Sequence, residues 1–224
     1  MCGRYTLLRD ERKIRQRFDI DKEIADYEPS YNIAPGQNVL AIIHDGNDRR
    51  AGYLRWGLVP FWAKDERIGY KMINARSETI DEKASFKHLL MRKRCLIIAD
   101  SFYEWRKTDA GKTPIRFQLP NEGLFAFAGL WDKWQNGRDA LFTCTILTKE
   151  SNAFMKPIHH RMPIILPKNK EAEWISSPFQ DRHAVKSFVE TLDMEELMAY
   201  PVSDYVNNAK HNDARCIEPT ITDS

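Results

Sequence analysis

No stretch of the 224 residues approaches the roughly 18 consecutive apolar residues that a membrane-crossing helix needs. The opening Met1-Cys2-Gly3-Arg4-Tyr5-Thr6 lacks an apolar segment behind a charged start, so no secretory signal is read and a cytoplasmic protein without membrane contact is expected. Charge of one sign is missing too. Thirty-four Lys and Arg against 32 Asp and Glu leave a net +2, which by itself does not argue for nucleic acid. A basic surface would have to come from local clusters such as Arg9 to Arg17 or Arg92-Lys93-Arg94. The 4 cysteines form no CxxC pair, which argues against a disulfide framework in such a compartment. There is no CxxC or HExxH, and adjacent histidines rarely ligate one ion, so neither a metal nor another cofactor is expected. Repeats, low-complexity tracts and linkers are also missing. With 42% hydrophobic and 29% charged residues, the chain reads as a single domain with a sizeable core.

What is present is a run of strand-like segments. Residues 10 to 19 suit a short amphipathic helix with Ile14 and Phe18 on one face. Tyr31 to Gly36 reads as a loop, and Val39 to Ile43 and Gly52 to Trp56 as strands. Ser77 to Arg94 reads as a helix with Ile80, Ala84, Leu89 and Leu90 apolar. Five strand candidates come next between Cys95 and Leu147, separated by turn residues such as Asp109-Ala110-Gly111 and Asn136-Gly137. Asn152 to Lys156 suits a helical turn, Pro163 to Leu166 a short strand, and 168 to 198 helical pieces. Residues 209–224 form a polar C-terminal tail, loose from Ile217. Consecutive strands without intervening helices predict an α+β fold, with a mostly antiparallel or mixed sheet and flanking helices.

Five places could carry chemistry. Removal of Met1 would give Cys2 a free α-amine beside its thiol, with reference pKa values near about 7.7–8.0 and 8.5. Such a 1,2-aminothiol condenses with an aldehyde to an imine, and the thiol then closes a five-membered thiazolidine. Arg55-Trp56-Gly57-Leu58-Val59-Pro60-Phe61-Trp62 offers aromatics beside an arginine, which suit either base stacking or a core. Asn74 and Arg76, two apart on an extended stretch, face the same way, while Ser77 could cap the helix after it. Glu104 sits among aromatics, which would raise its pKa toward general-acid range unless it lies exposed opposite a lysine. His159-His160-Arg161-Met162-Pro163 could shuttle protons or be a pair of solvated loop histidines.

Taken in order, several segments together resemble the SOS-response-associated peptidase (SRAP) family: Met1 to Tyr5, Tyr31 to Pro35, Arg55 to Pro60, Ile73 to Thr79, Phe102 to Trp105 and His159 to Pro163. Val202-Ser203 and Val206-Asn207 look like the family's closing strand motif, so the resemblance spans residues 2 to about 208. It implies an α+β domain over 1–208 built around a barrel-like sheet, which recognises abasic sites in single-stranded DNA. Mature Cys2 would trap the opened sugar as a thiazolidine. By matching position, Asn74 would hold the Cys2 amine or the sugar, Glu104 would act as acid and base, and His159 would move protons in β-elimination or reversal. Arg4, Arg76 and Arg161 would contact DNA, and Trp56, Leu58 and Pro60 would stack against it or kink it. One departure is His160, where the family more often has Asp.

Two other classes stay open at this level. Class II glutamine amidotransferases also begin Met-Cys-Gly, and there Cys2 would attack an amide as an N-terminal nucleophile. An aromatic and basic groove could also bind single-stranded or modified DNA without chemistry. A nonsymmetric DNA substrate suits a monomer.

Overall fold

The computed structural model describes residues 2–45, 48–109, 111–121, 123–176, 179, 181–192 and 196–220. Their elements run β1 (Tyr5–Leu7), α1 (Glu11–Phe18), β2 (Ser30–Ile33), β3 (Asn38–His44), β4 (Arg49–Trp56), β5 (Asn74–Arg76), β6 (Arg94–Ala99), β7 (Ser101–Thr108), β8 (Gly111–Gln118), β9 (Phe125–Asn136), β10 (Asp139–Glu150), β11 (Arg161–Pro163), β12 (Ile165–Leu166), α2 (Glu171–Ser176), α3 (Arg182–Glu190) and β13 (Met198–Pro201).

Two sheets form. The larger contains a closed ring, β10-β4-β3-β6-β9 and back to β10, in which only β10–β4 is parallel. Strands β5 and β11 attach to β10, and β12 attaches to β9. Closure removes sheet edges that would otherwise pair with other chains. The ring is narrow: a Cβ on Gly129 would stand 2.8 Å from Cys95 Sγ and from Ile97, so any larger residue there would push the wall apart. The second sheet has the order β13-β8-β7-β1-β2. Tyr5 of β1 is fully buried against Trp56 and Phe127 of the ring and so binds the two sheets together. The α+β mixed barrel expected from the sequence is therefore present.

Local differences from expectation have local causes. Ser30–Ile33 is a strand paired with β1, and the loop begins only at Ala34, ahead of Pro35 and of Gly36 at φ +90°. Ser77 to Arg94 is not one helix. A short 3₁₀ turn at Ser77–Thr79 leads into separate turns whose bonds alternate between i→i−4 (Lys87 N to Lys83 O, 2.9 Å) and i→i−3 (Leu89 N to Phe86 O, 2.9 Å). The fold buries Ile80, Ser85, Leu89 and Leu90 and exposes Ala84, a spacing that no single 3.6-residue face satisfies. Helix α1 is as expected: Asp10 caps it through Lys13 N at 2.9 Å and Ile14 and Phe18 are buried. The polar stretch after 208 turns back on the body as far as Thr220. Cys216 is buried, Tyr200 donates to Ile217 O at 3.2 Å, and Val202 bridges Pro219. Residues 221–224 lie outside the described residues. No helix among the described residues is long and apolar enough to cross a membrane.

Candidate active site

The chain ahead of β1 runs antiparallel to β7. Tyr5 pairs Phe102, and Tyr103 N donates to Arg4 O at 2.9 Å, which carries the register toward Glu104. Alternation along β7 puts Phe102 and Glu104 on one face and Tyr103 and Trp105 on the other. The first face looks into the main core, and the second meets a small cluster of Val202, Val206 and Cys216. Across from them, β5 is held by β10, with Asn74 opposite Ile146 and Arg76 opposite Thr148. Asn74 Nδ2 donates to the Cys2 carbonyl at 2.8 Å, which pins the residue from the ring side. Its Oδ1 is buried and has no partner among the described residues.

Cys2 is fully buried. Burial pushes its thiol well above the usual range and the nearby Glu104 adds to this, against the positive chain terminus and an Arg4 N–H. The sulfur is therefore a neutral thiol near pH 7. Burial also raises Glu104, again opposed by the terminal charge, the Trp105 N–H and His160. His159 is lowered, first by desolvation and then by the same terminus. The main chain of Arg161 brackets its Nδ1, with the N–H at 3.0 Å and the carbonyl at 3.1 Å, and so fixes the ring. His160 is exposed and stacks on His159 with centroids 4.5 Å apart; desolvation leads the causes that lower it, with His159, Arg161 and Arg76 contributing. Glu104 thus acts on Cys2, His160 acts on Glu104 and stacks on His159, and Asn74 binds Cys2. The structure gathers all four residues expected to be catalytic. Arg76 projects exposed beside them, and its charge acts on His160.

The residues expected on DNA divide differently. Trp56 is 1% exposed, donates its Nε1 to Ile73 O at 2.9 Å and packs on Tyr5; Leu58 and Pro60 are buried as well. They cannot stack on a base from there. The reason lies in the backbone. Gly57, at φ +129°, comes so close to Gly69 that a Cβ would meet its carbonyl at 2.8 Å, which folds Trp56 to Pro60 inward. The exposed rings are their neighbours Phe61 (59%), Trp62 (47%) and, on the 3₁₀ turn Glu66–Lys71, Tyr70 (71%). Phe61 and Trp62 were visible in the motif but not separable from Trp56 by pattern; Tyr70 carried no signal. Trp56→Ala is expected to cost about 3–5 kcal/mol of stability, as large-to-small core changes do, read as a lowered denaturation midpoint.

Arg161 is also turned inward. It forms a two-pronged pair with Glu78 at 2.7 and 2.9 Å and donates to Thr148 O at 2.8 Å. That pairing holds Glu78 below the usual range despite partial burial. Arg4 donates to Asn32 Oδ1 and to Val206 O, both at 2.8 Å, and its charge lies 5.9 Å from the Trp105 ring. The Arg161 guanidinium is thus turned away from solvent, whereas Arg4 is half-buried with its Nη1 engaged. Asn32, fully engaged at this point, was not singled out by its sequence context.

The SOS response associated peptidase (SRAP) family model matches residues 1–209. The chain belongs to the SRAP family. Among curated relatives, "Abasic site processing protein YoaM" of Bacillus subtilis is 50% identical over 222 residues, covering 97% of this chain and 98% of that protein. "Abasic site processing protein HMCES" of Xenopus tropicalis is 32% identical over 234 residues, covering 90% of this chain and 69% of that one. A crystal structure of a Bacteroides thetaiotaomicron protein matches with a TM-score of 0.87 and 25% identity, over 98% of this chain and all of the other. This SRAP chain is therefore similar in sequence to the two abasic site processing proteins and in fold to the Bacteroides protein.

Proposed function

We propose that this SRAP protein processes abasic sites in single-stranded DNA by covalent capture on Cys2 once Met1 has been removed. The observation that carries the reading is the hydrogen bond by which Asn74 holds the Cys2 carbonyl, with Cys2 fully buried and a buried carboxyl, Glu104, close enough to act on its thiol. The reaction balances with those groups alone. Glu104 as the acid assists opening of the sugar hemiacetal to its aldehyde. The α-amine adds, and Glu104 gives its proton to the departing hydroxyl, which leaves as water. An iminium ion and a Glu104 carboxylate result. The thiol sulfur then attacks the iminium carbon, and the carboxylate takes the thiol proton. A neutral thiazolidine forms and the Glu104 acid returns. His159, kept neutral, is placed to move a proton during elimination or reversal.

Arg76 supplies the phosphate contact, and Phe61, Trp62 and Tyr70 supply faces for unstacked bases. Arg76→Ala should weaken binding evenly across sequences and lower the salt slope by about 1, measured by titration with undamaged strands at several salt concentrations. The relatives named as abasic site processing proteins support the substrate, and the DNA role suits a cytoplasmic or nucleoid location.

The test is a denaturing gel of Met1-processed protein with single-stranded DNA carrying one abasic site. A heat-stable slow band that needs the lesion is the expected result. Its absence, with Met1 removal confirmed by mass, would overturn covalent capture and leave a binding module.

A further inference from the structure

The segment after β13 touches both halves of the proposed chemistry at once. Its 3₁₀ turn, Asp204–Asn207, presents the Val206 carbonyl to Arg4 Nη1 at 2.8 Å, two residues from Cys2. The next side chain, Asn207, accepts from Trp105 Nε1 at 2.7 Å, beside Glu104. One short turn is therefore bolted to the segment ahead of β1 that bears the nucleophile and to the strand that bears the acid.

Asn32 sits at the joint. It is buried, its Oδ1 accepts from Arg4 at 2.8 Å, and its Nδ2 faces three carbonyls: Val206 at 3.2 Å, Asn208 at 3.1 Å and His211 at 2.8 Å. An amide is the side chain that fits, since it accepts on one side and donates on the other. An aspartate would set a carboxylate against three carbonyl oxygens, and an aliphatic residue would take the amide donor from the Asn208 and His211 carbonyls and an acceptor from Arg4. Neither Asn32 nor this turn reaches the reacting atoms.

We infer that Asn32 is a positioning residue: through Arg4 and the Asp204–Asn207 turn it sets the spacing between Cys2 and Glu104. Cys2 has its own tether on the other side, Asn74, so loss of Asn32 frees the residue on one side only. The carbonyl stays anchored while the thiol's approach to Glu104 loosens. The inference rests on the proposed reaction for its rate readout, but not for its structural one.

The structural readout is alkylation of the chain by iodoacetamide, resolved cysteine by cysteine by mass spectrometry. Cys95 and Cys144 lie buried inside the ring and act as internal controls for global unfolding. Asn32→Ala should speed modification of Cys2 by roughly tenfold, as local opening does, with Cys95 and Cys144 unchanged. In Met1-processed protein the same variant should slow single-turnover crosslinking on the order of 10²-fold, the cost of a small misplacement, while affinity for undamaged single strands holds. Cys2 as protected as in the parent, in a folded Asn32→Ala protein, overturns the inference.

If all cysteines react together in that variant, Asn207→Ala takes its place, because it removes only the exposed bond to Trp105. It should slow crosslinking at unchanged DNA affinity, and Asn207→Asp, which keeps the accepting oxygen, should restore the rate. An Asn207→Ala protein with the parent's rate overturns the inference equally. A parent that never crosslinks sinks the proposed reaction instead, and leaves the Cys2 protection measurement to judge Asn32 alone.

Discussion

Cys2→Ala, processed to expose the α-amine of the substituted residue, is expected to lose the heat-stable DNA adduct down to background while still forming a reversible imine. The alanine keeps the amine, so condensation with the aldehyde proceeds and sodium borohydride should reduce the imine to a permanent amine link. Without the sulfur no ring closes, and hydrolysis returns the aldehyde. Strand nicking by elimination from the imine should persist, because it needs only the iminium ion and a base. The variant should remain folded. Cys2 is a small buried residue, and truncating it removes one sulfur from a site already tied down through its backbone by Asn74. A loss of about 1 kcal/mol is the expected scale, a shift of roughly 2–4 °C in melting for a chain of this size. A heat-stable adduct that survives in the alanine protein, without reductant, is the result that contradicts the assignment.

The four residues proposed for the chemistry came to notice through the ordered set of motifs, since each alone suited a structural role as well. Cys2, Asn74, Glu104 and His159 each stand in a local feature: a thiol at a chain start, an amide and guanidinium two apart, an acid among aromatics, and a histidine pair before Arg-Met-Pro. None of these features is rare enough alone to mark a site, and only their order along the chain separates them from a surface acid, a cap or a pair of loop histidines. The DNA-facing half was not legible. Trp56, Phe61 and Trp62 have the same side-chain types within seven residues, and only the close approach of Gly57 to Gly69 decides which ring turns inward. That approach depends on a partner twelve residues away in sequence, which no local period reports. Arginines failed similarly. Arg4, Arg76 and Arg161 look alike in a sequence, but Glu78 turns Arg161 inward, Arg4 is half-buried with Nη1 on the Val206 carbonyl, and Arg76 is exposed. The strands were readable because they are long and β-branched, whereas the three-residue β1 and β5 that carry the site were too short to show a period.

Glu104→Gln is expected to slow crosslinking by about 10²–10⁴-fold, the usual worth of a general acid, and at the same time to make the protein more stable near neutral pH. Both effects arise from the direction of the Glu104 shift, which burial drives upward from 4.5. Below 4.5 the carboxyl is protonated in the folded and unfolded chains alike, and it contributes nothing to the pH dependence. Above that value the unfolded chain releases the proton and the folded one keeps it, so stability falls as pH rises until the folded group also ionises. Beyond that point the cost of the buried charge stays constant. Glutamine has no proton to release and escapes this penalty, while its amide oxygen retains the acceptor that meets the Trp105 N–H. The gap in melting temperature between the glutamine variant and its parent should therefore open as pH climbs from about 4.5 and close again in acid. The parent's crosslinking rate should decline at the upper end of the same window, where the acid form is lost, and the variant should lack that decline. Paired melting and single-turnover measurements across pH read both. A variant less stable than its parent at neutral pH, with the falling limb of the rate intact, would place the acid elsewhere. A site that gains stability by losing its acid is one in which folding has accepted strain so that the carboxyl stays protonated beside an aminothiol, and the rate it supplies is what that strain maintains.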